Sequence, residues 1–109
     1  MLPNLKKIDL TGCIINGNII LSDLPNLDEF IIEESQLNGN IVISNNVKID
    51  EFDFSNKTIS SIVFNGNDIN LKTLNFNNTT FTQDTINLNA ISNRLENIYF
   101  NNCRGLNYI

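Results

Sequence analysis

The chain has 109 residues, one domain's worth, and Leu, Ile, Val and Phe fill 39 of them, about 36%, well above the roughly 20% below which chains stay disordered. No apolar run approaches the roughly 20 residues needed to cross a bilayer, which argues against direct membrane insertion, and Met1 to Lys7 lack the basic-then-apolar layout of a secretory leader. Of the net charge of -5, residues 1–54 carry nine Asp or Glu against three Lys, and residues 55–109 three acids against four bases. Without a basic stripe for phosphates, nucleic acid is excluded as a partner class.

Asn fills 22 places and Ile 17. The Asn residues are interleaved with a regular apolar pattern throughout, which separates this chain from Asn-rich low-complexity tracts.

In chain order, the first predicted unit opens at Leu2 with "LPNLKKIDL", and "LPNLDEFII" repeats it from Leu24. The step from Leu2 to Leu24, taken again, reaches "KIDEFDF" in a unit starting near Asn46 and "NLKTLNF" in one starting near Asp68. After a two-residue insertion it reaches "RLENIYF" in one starting near Ser92. Five coils of about 22 to 24 residues are expected, forming one domain over 1–109.

In every unit the first, fourth and sixth places are apolar: Leu5, Ile8, Leu10; Leu27, Phe30, Ile32; Ile49, Phe52, Phe54; Leu71, Leu74, Phe76; Leu95, Ile98, Phe100. Places four and six share one face of an extended strand. A short strand recurring once per unit cannot pair with itself and hides its apolar side only against the next copy. The expectation is a mostly β solenoid with a parallel sheet along one side. "INGNI" at 15–19 and "LNGNI" at 37–41 would signal hairpins in isolation. The constant strand direction makes each Asn-Gly a corner instead, with Gly17 and Gly39 expected at positive φ and Ser61 standing where the third unit would repeat them.

The stretch "LKKIDLTGCII" follows L-x-x-L-x-L-x-x-N/C-x-L, with Cys13 in the N/C place, and "NGNI" continues it as L-x-G-x-I. The chain thus resembles plant-type extracellular leucine-rich repeats and the repeat regions of cell-surface proteins that carry EGF-like modules. In the N/C place the five units read Cys13, Ser35, Lys57, Thr79 and Cys103. The resemblance implies an α/β-type solenoid whose concave sheet binds proteins, peptides or glycans, and an inward N/C residue bonded to the backbone of adjacent coils. Lys57, with its long charged stem, departs from that pattern, and the third coil is expected to be locally open or irregular. The alternative fold is a right-handed parallel β-helix with three faces, in which "IILS" and "IVIS" form a second strand.

The outward places of the predicted sheet include Asp9; Glu29, Ile31, Glu33; Glu51, Asp53; Asn75; and Tyr99. In an in-register stack Glu29 would lie over Glu51, a like-charge pair costing up to about 1 kcal/mol. A stack of carboxylates around an exposed Ile31 is either a solvated face that maintains solubility or a docking patch for a basic protein segment or a cation, with Tyr99 as a second anchor.

Enzymatic readings find little support. There is no His, which removes Cys-His nucleophiles and His-containing metal sites. Asp9 and Asp53, about 9.6 Å apart by strand spacing, could approach inverting-glycosidase geometry, but no basic cluster accompanies them to hold an acidic sugar chain. No cofactor is expected. Cys13 and Cys103, four coils apart, would lie about 19 Å from each other, beyond the roughly 7 Å reach of a disulfide. The sequons at Asn56, Asn77 and Asn78 are no more than 22 Asn and 14 Ser or Thr would generate by chance. Neither end reads as a polar cap, so Leu5, Ile8 and Leu10 at one end and Ile98, Phe100 and Ile109 at the other are expected to expose apolar edges. Such edges suit either a stretch of a longer cell-surface array or end-to-end self-association.

Overall fold

The computed structural model describes residues 2–45, 47–66, 69–83 and 85–107. The unit starts expected near Asn46 and Asp68, and Ile109, lie outside them. The first coil carries β1 (Lys7–Asp9), β2 (Ile14–Ile15) and β3 (Ile19–Leu21). The second carries β4 (Glu29–Ile31), β5 (Gln36–Leu37) and β6 (Asn40–Ile43), and the third β7 (Glu51–Asp53), β8 (Thr58–Ile59) and β9 (Ser61–Phe64). The fourth has β10 (Thr73–Asn75), β11 (Thr80–Phe81) and a 3-10 turn at Asn89–Ile91, and β12 (Asn97–Tyr99) opens the fifth. The five recurring first strands bound about four turns of a β-solenoid, and the described residues contain no α-helix.

Among the described residues every strand pairing is parallel. The strands form three rows. On the first face β1 pairs with β4, and β10 lies between β7 and β12 and pairs with both; on the second β2 pairs with β5, and β8 with β11; on the third β3, β6 and β9 form one continuous sheet. The register follows the sequence repeat, with Ile8 opposite Phe30 and Phe52 opposite Leu74; the two-residue insertion then places Leu74 opposite Ile98.

The apolar places point inward as their spacing requires. Leu27, Ile49, Phe52, Phe54, Leu71, Leu74 and Phe76 are buried, while Leu5, Ile8, Leu10, Leu95, Ile98 and Phe100 at the two ends are half-buried. Phe52, Phe54, Phe76 and Phe100 stack in sequence with centroids 5.5 to 5.7 Å apart and rings within 16° of parallel. Offset stacking of this kind adds to area burial.

Two corner expectations are corrected. Gly17 and Gly39 are not among the positive-φ residues; glycine is needed at 39 because a Cβ there would run into the carbonyl oxygen of Gly17 on the coil below. Ser61 does not occupy a corner but starts β9 opposite Asn40, a shorter step than the one that sets Ile19 opposite Ile41, so the third coil turns that corner sooner. Five left-handed residues lie elsewhere, in a row just before the N/C place: Gly12, Glu34, Asn56, Asn78 and Asn102, with φ of 75, 56, 61, 58 and 59°, and Asp23, Gly66 and Gly105 also have positive φ outside that row.

Candidate functional site: a cleft at a break in the first face

At the N/C place Ser35, Thr79 and Cys103 build an inward ladder, whereas Cys13, expected to point inward, is exposed in the end coil. Cys13, Ser35, Thr79 and Cys103 each donate their backbone N–H to the carbonyl three residues back, closing the corner after the first strand. Their side chains extend it: Ser35 Oγ donates to Ile32 O at 2.6 Å, Thr79 Oγ1 to Phe54 O at 2.9 Å, and Cys103 Sγ to Phe76 O at 2.7 Å. Lys57 makes no such corner bond; its Nζ reaches instead to Ser35 O at 3.3 Å.

At that coil the first face is interrupted. Among the described residues no backbone hydrogen bond joins β4 to β7. The expectation that Glu29 stacks over Glu51 within one sheet is therefore corrected: Glu29 lies opposite Lys7, and Glu51 opposite Thr73. The physical reason is visible in the residues, since closing the row would set Glu29 and Ile31 against Glu51 and Asp53, with Glu33 at one end and Lys57 unable to complete the corner.

The break opens a cleft of about 540 Å³ lined by Phe30 to Glu34 on one side and by Asp53 and Ser55 to Lys57 on the other. Glu33, Glu34 and Asp53 set three carboxylates against the single Lys57 ammonium in this lining. Asp53 Oδ1 accepts the Ser55 N–H at 2.9 Å, which fixes that carboxylate against the turn after β7. Ile31, expected to be exposed, is half-buried and is itself part of the cleft lining.

Of the anticipated surface residues the structure thus gathers Ile31, Glu33 and Asp53. Glu29 and Glu51 are exposed on the flanking strands but are not part of the lining. Asp9 lies one rung away opposite Ile31, where Thr11 binds its carboxylate through Oγ1 at 2.5 Å and through its N–H at 3.0 Å. These two bonds, the side-chain one first, hold the Asp9 carboxyl below the usual range, with a smaller contribution from Lys7. Asn75 sits opposite both Asp53 and Tyr99, and its Oδ1 accepts the Asn77 N–H at 2.9 Å. Tyr99, 44% exposed, is two rungs from the cleft. Glu34 and Asn56 were missed from the sequence as lining residues. The signal for Asn56 was the Gly-or-Asn row preceding the N/C place, and Glu34, which departs from that row, was marked only by its place in the repeat.

The described residues hold no group of three or more His, Cys, Asp or Glu arranged to take a metal ion, and Cys13 and Cys103 are both free. Comparisons with models of known protein families, with curated proteins and with solved structures returned no match.

Proposed function

We propose that this chain is a non-enzymatic recognition module whose acidic first face holds a basic, extended segment of another protein at the cleft between the second and third coils. The observation that carries this reading is the coincidence of Glu33, Glu34 and Asp53 with the break in the strand row. A cleft of 540 Å³ falls within the roughly 300 to 1,000 Å³ typical of ligand sites. Its apolar floor at Phe30 to Ile32 supplies contact area, and its carboxylates supply charge complementarity, which steers encounter with a cationic partner.

Two solenoid types remain as readings of the coil. The inward ladder of Ser35, Thr79 and Cys103 supports a leucine-rich repeat. Three strand rows per coil support a three-faced β-helix, as does a third face that stays bonded where the first opens. We favour a three-faced coil carrying a leucine-rich-repeat-like sequence, and the binding reading holds for either.

The test is titration of a fluorescent Lys-rich peptide into the chain and into its Glu33→Gln, Asp53→Asn variant. At low salt the variant is expected to bind about tenfold more weakly, and binding to the parent chain is expected to fall as salt rises. Equal affinity in both proteins would overturn the proposal, and a complete lack of binding would favour the alternative of a purely structural stretch of a longer array.

A further inference from the structure

Building on the binding reading above, we infer that the partner's segment enters the first face as an additional β-strand between β4 and β7, converting the interrupted row into a continuous sheet. The backbone directions on the two sides support this. In β4 and its extension, Glu29 N–H donates to Lys6 O, and the carbonyls of Ile31 and Glu33 accept from Leu10 and Gly12. By strand alternation both backbone groups of Phe30 and the N–H of Ile32 therefore face the third coil, as does the Glu34 N–H by analogy with the corner N–H groups of Gly12, Asn56 and Asn78, while the Ile32 carbonyl is already taken by Ser35. On the other side Phe54 and Asn56 donate to Asn75 and Asn77, so the backbone groups of Glu51 and Asp53 face the second coil.

Between these two sets no backbone hydrogen bond is made among the described residues. An unpaired strand edge is a template for a further strand, and here two parallel edges confront each other across a cleft.

The cross-links between the second and third coils weaken in order around the coil. The third face holds β6 to β9 through four register pairs, from Asn40 opposite Ser61 to Ile43 opposite Phe64. The second face has two side-chain bonds only among the described residues, Lys57 Nζ to Ser35 O at 3.3 Å and Ser60 Oγ to Gly39 O at 2.9 Å. The first face has neither kind, and between the third face and the first the two coils are joined by the isolated parallel bridge of Leu24 with Val47. The gap can therefore widen on the first face with the third as pivot, by the roughly 4.8 Å that one more strand requires.

An inserted strand would alternate its side chains between the Phe30 and Phe52 layer inside and the Glu29 and Glu51 surface outside. The occupant is accordingly a segment in which apolar and basic residues alternate.

The experiment uses the full chain and four synthetic octapeptides: (Lys-Val)4, two forms of it N-methylated at alternate amides in the two possible registers, and (Glu-Val)4. A strand held on both sides uses the N–H groups of both registers, so each methylated form is expected to bind at least about tenfold more weakly than (Lys-Val)4. Amide exchange at Phe30, Ile32, Glu51 and Asp53 is expected to slow at least about tenfold when (Lys-Val)4 is added. Loss in one register alone would mean addition to a single edge and would overturn insertion. Retained binding of both methylated forms with no protection of these amides would overturn insertion while leaving the basic-segment reading intact. If (Lys-Val)4 bound no better than (Glu-Val)4, the binding reading itself would fail and the inference with it.

Discussion

Glu34 is the odd member of a row. Gly12, Asn56, Asn78 and Asn102 occupy the same left-handed corner in the other coils, and glycine and asparagine are the residues that visit this region most readily, whereas a Cβ without Asn's short polar side chain costs about 1 to 2 kcal/mol. Glu34, at φ 56°, bears that cost beside the cleft. Glu34→Asn is expected to stabilise the chain by about 1 kcal/mol, raising the melting midpoint by roughly 4 °C. An unchanged or lower midpoint in a calorimetric scan would show that the corner is not strained. Four of the five corner residues were legible as Gly or Asn, but the sequence reading placed positive φ at the Asn-Gly pairs instead. Those pairs serve a different need, the close stacking of Gly39 on Gly17, and proximity between coils is not written in any one coil.

Among the elements, the first-face strands were the best anticipated. Their apolar places carry the repeat, and Phe52 and Leu74 are fully buried at the register the spacing implied. Phe52 contacts Phe30 edge-on at 5.8 Å and stacks on Phe54 at 5.6 Å. Phe52→Ala is expected to cost about 3 to 5 kcal/mol in a denaturant titration, because rings held on both sides cannot collapse into the space left behind. A loss below about 1 kcal/mol would be incompatible with this packing. The second-face strands were not anticipated, since each is two residues long and its alternation is too brief to register as a period. The third-face strands appeared only under the alternative fold, as the apolar runs that become β3 and β6.

The molecule as a whole consists of two blocks, coils one and two and coils three to five, joined most firmly along the third face. Solenoid stability is close to a sum of coils and of the interfaces between them, so the interface with fewest bonds is where the stack should open first. Native-state hydrogen exchange is therefore expected to show the amides of Glu51 and Asp53 exchanging at least about a hundredfold faster than those of Ile41 and Ile43 in β6. Uniform protection across both faces would mean the two blocks unfold as one. The charge asymmetry sharpens the division, because nine of the twelve acidic residues precede residue 55 and several meet at this interface.

The sequence by itself determined the parallel, one-direction stacking of like segments, because an apolar triplet recurring at a constant interval has no other way to leave water. Only the tertiary structure decided where that stacking fails. Whether two neighbouring strands close depends on what the pair sets face to face, here Glu29 and Ile31 against Glu51 and Asp53, with Lys57 in a place that requires a small inward donor. That balance of repulsion, corner geometry and backbone pairing exists only once the coils are side by side, and it is what opens the cleft.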